Sequence, residues 1–262
     1  MKRREFLTMS AVAGAAPFMG GGKLFAQSGK QQYFELRQYH LHPGGEQREN
    51  FNNFLREVAI PAYNRMGIEP VGVLNSMYGT NRLSTFVLLP HPNLESVVTS
   101  SQKLLDDRKV QRQGEDFITV SSEDINFVRI ESSLMVAFEG MPEIAVPSAA
   151  KNNQPRIFEM RRYENHNLRA GKRKVEMFNK GEIQIFKDTG LQPVFFGETV
   201  IGPYMPNLTY MLWFEDMEQR DQRWDVFRQS PAWEKLSADP YYADTVSDIT
   251  DIILRPASYS QI

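Results

Sequence analysis

The chain has 262 residues, 41% hydrophobic and 24% charged, an ordinary globular composition with room for one large domain or two small ones. Its net charge of −2, from 30 basic and 32 acidic residues, leaves no cationic excess to neutralise phosphates, so nucleic acid is not an expected partner. The absence of cysteine excludes thiolate catalysis, iron–sulfur clusters and cysteine-ligated zinc, and leaves stability to packing rather than disulfides.

Residues 1–26 read as a targeting segment, set apart from the fold. Lys2-Arg3-Arg4 is a positive start, followed by Phe6-Leu7 and a weakly apolar, small-residue stretch from Met9 to Gly22. Arg3-Arg4-Glu5-Phe6-Leu7 is similar to the twin-arginine export signal of bacteria, with Lys2 and Thr8 departing from its usual residues. Cleavage is expected after Ala26, which places the mature protein in the periplasm or outside the cell. The stretch is short and rich in Gly and Ala, so no stable membrane insertion is expected after cleavage. Removing Lys2, Arg3, Arg4 and Lys23 against Glu5 leaves 26 basic and 31 acidic residues.

Tyr33 to Leu41 alternates as a half-buried strand, ended by His42-Pro43-Gly44-Gly45. Glu46 to Met66 has helical spacing, with Phe51, Phe54, Leu55 and Val58 on one face. Pro61 lacks a backbone donor and predicts a kink or restart there, and Gly67 closes the helix. Strands are predicted over Val71–Met77 and Leu83–Leu89, around a turn at Gly79-Thr80-Asn81. A helical region follows from Asn93 to about Gln113, then a strand near Ile125–Phe138. Gly140 to Pro155, with three prolines, reads as a linker.

The same order then recurs: a strand over Arg156–Glu164, a helix over Ala170–Thr189, strands over Gln192–Ile201 and Leu208–Phe214. A helical region over Gln219–Leu236, interrupted at Ser230-Pro231, and a strand over Val246–Leu254 complete it. The duplication is visible in the letters. Phe34-Glu35-Leu36-Arg37-Gln38-Tyr39 returns about 124 residues later as Phe158-Glu159-Met160-Arg161-Arg162-Tyr163. Phe54 matches Phe178, Gly67–Val71 matches Gly190–Val194 one residue out of step, and Thr85-Phe86 is matched with Thr209-Tyr210.

Two βαββαβ units predict an α+β protein of two tandem ferredoxin-like repeats, at 27–140 and 156–262, joined by a linker at 141–155. Each four-stranded sheet has one face uncovered by helices, so the two are expected to close on each other as an intramolecular dimeric α/β-barrel. On the first strands, Glu35, Arg37 and Tyr39 share one face, and Glu159, Arg161 and Tyr163 share its counterpart. The more apolar sets are expected under the helices, which would aim these six side chains into the barrel. There they serve either as buried ion pairs that register the halves, or as a polar pocket for an anionic or carbonyl-bearing small molecule. If the faces are the other way round, the charges point outward.

His42 and His166 follow the first strands at equivalent positions and are candidate mouth residues, for acid–base work more than for metal. His91, between Pro90 and Pro92, reads as a surface loop residue. Trp213, Phe214, Trp224, Phe227 and Trp233 read as core, and Gly202–Asn207 as a long turn that shapes one mouth asymmetrically. No nucleophile elbow, phosphate loop or HExxH is present, and no cofactor or metal is implied.

The Phe-Glu-x-Arg-x-Tyr openings, the Gly67–Val71 and Gly190–Val194 segments and Arg223-Trp224-x-x-Phe227-x-x-Ser230-Pro231-x-Trp233 resemble NIPSNAP domains. The first copy departs by lacking the helical tryptophan. The resemblance implies the same dimeric barrel fold and brings no catalytic residues with it. The expected function is an exported barrel protein that binds a small molecule or a partner. A small-molecule enzyme (a cofactor-independent oxygenase, isomerase or lyase) and a purely structural role for the charges are the alternatives. Assembly of pseudo-dimers into a homo-oligomer stays open.

Overall fold

The computed structural model describes residues 31–77 and 83–262. The export signal at Arg3, Arg4, Phe6, Leu7 and Ala26 and the turn at Gly79-Thr80-Asn81 lie outside the described residues. The first repeat runs β1 (Tyr33–Leu41), α1 (Gly45–Asn53), a π-helical turn (Phe54–Ala59), α2 (Ile60–Arg65), β2 (Gly72–Ser76) and β3 (Ser84–His91). It continues with α3 (Leu94–Asp106), α4 (Arg108–Gln113), α5 (Glu115–Ile118) and β4 (Phe127–Ala137). A short helix, α6 (Ser148–Lys151), lies in the segment read as a linker. The second repeat runs β5 (Ile157–Glu164), α7 (Leu168–Met177), a π-helical turn (Phe178–Glu182), α8 (Ile183–Asp188), β6 (Gln192–Ile201) and β7 (Asn207–Phe214). It ends with α9 (Met217–Arg228), α10 (Pro231–Ser237) and β8 (Asp248–Pro256).

The helix interruption predicted at Pro61 is present, but proline is not its cause. Both repeats widen into a π turn beginning at the equivalent Phe54 and Phe178, and the second repeat has no proline there. The turn spans six residues in the first repeat and five in the second, which accounts for the one-residue step in the repeat alignment. Gly67 and Gly190 then take φ of +73° and +83°, the left-handed conformation that ends a helix most cheaply at glycine. The helical region after β3 breaks at Asp107, whose carboxylate accepts from the N–H groups of Lys109 and Val110 and so starts α4.

The eight strands close in the order β1-β3-β2-β8-β5-β7-β6-β4. Each repeat keeps the ferredoxin-like order, and its two edge strands pair with the other repeat's edges along the β2–β8 and β4–β6 seams. Closure leaves no unpaired edge, which is what two open sheets in one chain need. Strand register corrects one match: Gln38 faces Phe86 while its counterpart Arg162 faces Thr209, so Phe86 corresponds to Thr209 and not to Tyr210.

Three cores follow. The barrel interior buries Phe34, Leu88 and Met135 against Phe158, Met211, Trp213 and Leu254, and Ile144, Ala149 and Ile262 close one end. Outside the barrel, Tyr39, Val73 and Val87 pack under α1 and α2, and Tyr163, Tyr210 and Phe214 pack under α7, α8 and α9. The face assignment from sequence is therefore inverted. Phe34, Leu36 and Gln38 point into the barrel, and Glu35, Arg37 and Tyr39 point at the helices. An eight-stranded barrel fills its interior with side chains, so its inner face demands the apolar set. Phe34 and Phe158 are fully buried there, and truncating either to alanine is expected to cost about 3–5 kcal/mol.

Candidate ligand site at the barrel mouth

The Glu-x-Arg-x-Tyr motifs form two buried ionic clusters between sheet and helices. In the first, Arg37 Nε and Nη2 donate to Glu35 Oε1 and Oε2 at 2.6 and 2.8 Å. Arg37 Nη1 also donates to the Tyr63 hydroxyl at 2.9 Å, and Ser132 donates to Glu35 at 2.9 Å. Burial would raise the Glu35 pKa, but the adjacent His91 and the hydrogen bonds from Arg37 and Ser132 outweigh it and hold the carboxyl at about 2. Burial also pushes the Tyr63 hydroxyl up to about 12, so it stays a donor.

In the second cluster Glu159 is fully buried and accepts from Arg161 at 2.8 Å, Arg220 at 2.9 Å twice, and the Trp224 indole at 2.7 Å. Beside it Lys174 Nζ donates to Glu182 at 2.8 Å, and the Tyr163 and Tyr210 hydroxyls meet at 2.9 Å. Burial raises Tyr163, Tyr210 and Glu182. All pairing stays within a repeat, so these charges dock helices onto their own sheet and do not register the halves.

None of the eight sequence candidates lines the barrel cavity. Glu35, Arg37, Tyr39, Glu159, Arg161 and Tyr163 lie on the outer side of the strands. His42 is half-buried with its Nδ1 unpartnered, and His166 is exposed, 4.0 Å from Asp244. His91, read as surface, is fully buried, because β3 extends through Pro90 to His91.

The cavity opens at the end of the barrel opposite Ile262 and has a volume of about 440 Å³. Its apolar lining is Leu36, Phe86, Met160 and Ile252, one residue from each of β1, β3, β5 and β8. Above these, Gln38, Arg129, Glu131, Arg162, Asn207, Thr209 and Thr250 form a polar ring drawn from both repeats, with His40 at its edge. Arg162 is its organising cation. Nη2 reaches Thr250 Oγ1 at 3.3 Å and Glu164 at 3.3 Å, while Nε is buried without a hydrogen-bond partner. Its guanidinium lies 3.9 Å from the centre of the Tyr204 ring.

Tyr204 sits on the long turn after β6, at φ +62°, a conformation that a bulky residue keeps only where its surroundings impose it. Asn207 imposes it in part, accepting from Thr199 at 2.7 Å and donating to the Pro203 carbonyl at 3.0 Å. This turn places Pro203 and Tyr204 on the cavity lining. Across the mouth Arg129 donates to Glu131 at 3.1 Å, and His40 Nε2 stands 2.9 Å from the same Glu131 oxygen, off hydrogen-bond alignment. The hydrogen bond from Arg129, with the charges of His40 and Arg129 beside it, lowers the Glu131 pKa against the opposing effect of burial. The Gly202–Asn207 turn lines the mouth as the sequence suggests, whereas the strand residues of the mouth occupy the face that the sequence assigns to the helices. Arg162, standing where the first repeat has Gln38, is the signal that could have marked them.

Comparison with known proteins now bears on this barrel. Residues 158–261 match the NIPSNAP family model. The match falls on the second repeat, which is similar to a NIPSNAP domain. A NIPSNAP-like domain protein of Burkholderia xenovorans, described as uncharacterized, is 22% identical over 40% of this chain and 88% of its own, with a TM-score of 0.37. A protein of Lactobacillus acidophilus, provisionally named a monooxygenase, is 8% identical over 87% of this chain and 94% of its own, with a TM-score of 0.55. A similarly named protein of Fusobacterium nucleatum is 10% identical over 87% and 93%, with a TM-score of 0.50. These two likenesses span both repeats and establish the shared barrel fold. No curated protein matches the chain.

Proposed function

We propose that this NIPSNAP-domain protein binds a small molecule in the barrel mouth, an apolar body with one anionic or carbonyl oxygen. The observation that carries this reading is the cavity of about 440 Å³ in which the Arg162 side chain lines the wall with the apolar floor of Leu36, Phe86, Met160 and Ile252. A volume of this size suits a small ligand, and a partly exposed guanidinium is a natural partner for a carboxylate or enolate oxygen. A thermal-shift series of small carboxylates, quinones and haem tests it. A stabilising ligand should lose at least about tenfold in affinity in Arg162→Ala. Wild-type affinity in both Arg162→Ala and Tyr204→Ala would remove the reading.

The contact between His40 and Glu131 favours a second reading, in which the same pocket moves a proton. In that reading His40 would take the proton and Arg162 would stabilise an enolate opposite. Turnover of a bound carbonyl compound that falls about a hundredfold or more in His40→Gln, with binding retained, would establish it. The names of the monooxygenase-like proteins add nothing to either reading, since a shared fold does not carry activity.

We also propose export by the twin-arginine route, supported by Arg3-Arg4-x-Phe6-Leu7. Replacing Arg3 and Arg4 by lysine should leave uncleaved protein in the cytoplasm. The first repeat is proposed as a second, diverged NIPSNAP domain, on its matching strand order and strand motif.

A further inference from the structure

Away from the mouth, the far end of β3 brings a hydroxyl, an imidazole and a carboxylate into line. His91 Nδ1 lies 3.0 Å from Ser96 Oγ, and His91 Nε2 lies 3.5 Å from Glu35 Oε2. The imidazole is fully buried and its Nε2 makes no aligned hydrogen bond. Ser96 is half-buried and opens on a cleft of about 200 Å³ whose apolar wall is Met66 and Ile68. Asn93 accepts from the Ser96 N–H at 2.8 Å and so fixes the serine in the first turn of α3. Asn93 and Lys103 line the same cleft and carry N–H donors.

Packing alone does not call for this trio. The second repeat has the same strand carboxylate, Glu159, and the same cap, with Asp216 accepting from the Gln219 N–H at 2.8 Å. Strand register places Phe214 where His91 stands, and Glu159 is satisfied by Arg161, Arg220 and Trp224 instead. An imidazole between a half-exposed serine and a buried carboxylate therefore exists only in the first repeat.

We propose that Ser96, His91 and Glu35 form an acyl-transfer site for small esters. Ser96 Oγ bonds to the ester carbonyl carbon while His91 Nδ1 takes the hydroxyl proton. The carbon–oxygen bond to the leaving alcohol breaks and His91 returns the proton to that oxygen. Water, deprotonated by His91, then attacks the acyl-serine, releasing the carboxylic acid and restoring Ser96. Ester and water thus become acid and alcohol with no other reactant. The required tautomer has its proton on Nε2, toward Glu35, which acts through His91 as a positioning residue. Lys103 and the Asn93 amide would supply donors for the developing oxyanion from the cleft lining, which also carries the Glu95 carboxylate. The cleft suits an acetyl-sized acyl group.

The probe is p-nitrophenyl acetate with the full chain at neutral pH. The expected result is a burst of about one p-nitrophenolate per protein and one added acetyl on the peptide that holds Ser96. Ser96→Ala should abolish both, and Ser100→Ala should keep both. His91→Gln should slow the burst about a hundredfold or more. Because His91 is buried, the position of the acetyl in the wild-type protein is decisive whether or not that variant folds. No burst, an acetyl on a lysine instead, or a burst retained in Ser96→Ala overturns the proposal.

Discussion

Glu35 and Glu159 stand at the same position of the first strand in each repeat, and their neighbourhoods have diverged. Glu35 is served by Arg37, Ser132 and His91, from the strands of its own sheet. Glu159 is served by Arg161 from its strand and by Arg220 and Trp224 from α9. The outer core differs as well. The second repeat buries Lys174 with Glu182 beside the Tyr163–Tyr210 pair, where the first has the exposed Asn50 and the buried Val58. The duplicated strand sets a carboxylate and an arginine under the helices, and each helical layer then meets that demand with its own residues. Such charges are conserved between copies by the cost of leaving one buried alone, a cost that does not depend on which partner removes it.

Glu159→Ala tests this most severely, because it leaves Arg161, Arg220 and the Trp224 indole without their acceptor. Urea unfolding should show a loss of about 3–5 kcal/mol, larger than for Glu35→Ala, whose carboxylate is less deeply enclosed. Lys174→Met should cost somewhat less, about 2–4 kcal/mol, by stranding Glu182. The double variant Lys174→Met/Glu182→Leu, which moves the second core toward the first, should recover most of that loss. A double variant no more stable than Lys174→Met alone would mean that the pair contributes more than its mutual neutralisation.

Acid unfolding separates the two repeats by sign. Glu35 is held at about 2 against an ordinary 4.5, so its contribution is present above about 4.5 and is lost as pH falls toward 2. The full loss is at most about 3.5 kcal/mol, and Glu35→Gln should flatten that part of the stability profile. Glu182 is raised by burial, so above its ordinary range it weakens the fold as pH rises, the opposite slope. The smallest stability effect is expected for Tyr204→Ala at the exposed lip, within about 0.5 kcal/mol of wild type, while ligand affinity at the mouth falls.

Much of the architecture is readable without coordinates. Alternation locates β1 and β6 with their ends, Gly67 and Gly190 mark helix ends, and Ser230-Pro231 marks the break between α9 and α10. The site is not readable in the same way. Alternation says that Glu35, Arg37 and Tyr39 lie together, but it is symmetric about the sheet and cannot say which side holds the helices. Expecting the apolar set under the helices sent the six strand candidates to the wrong side. The two prolines that flank His91 suggest a loop, whereas β3 carries through Pro90 and buries the ring.

Sequence alone determined that the fold is a duplication, that each copy is strand, helix, strand, strand, helix, strand, and which residues share a strand face. These are properties of neighbours in the chain, set by backbone periodicity and by glycine and proline chemistry. Only the tertiary structure decided which face looks into the barrel, that Arg162 and not Arg37 or Arg161 commands the mouth, and that Ser96, His91 and Glu35 meet. Those outcomes depend on barrel closure and on helices that approach from distant parts of the chain, and burial and pairing energies are fixed only once those surfaces are in contact.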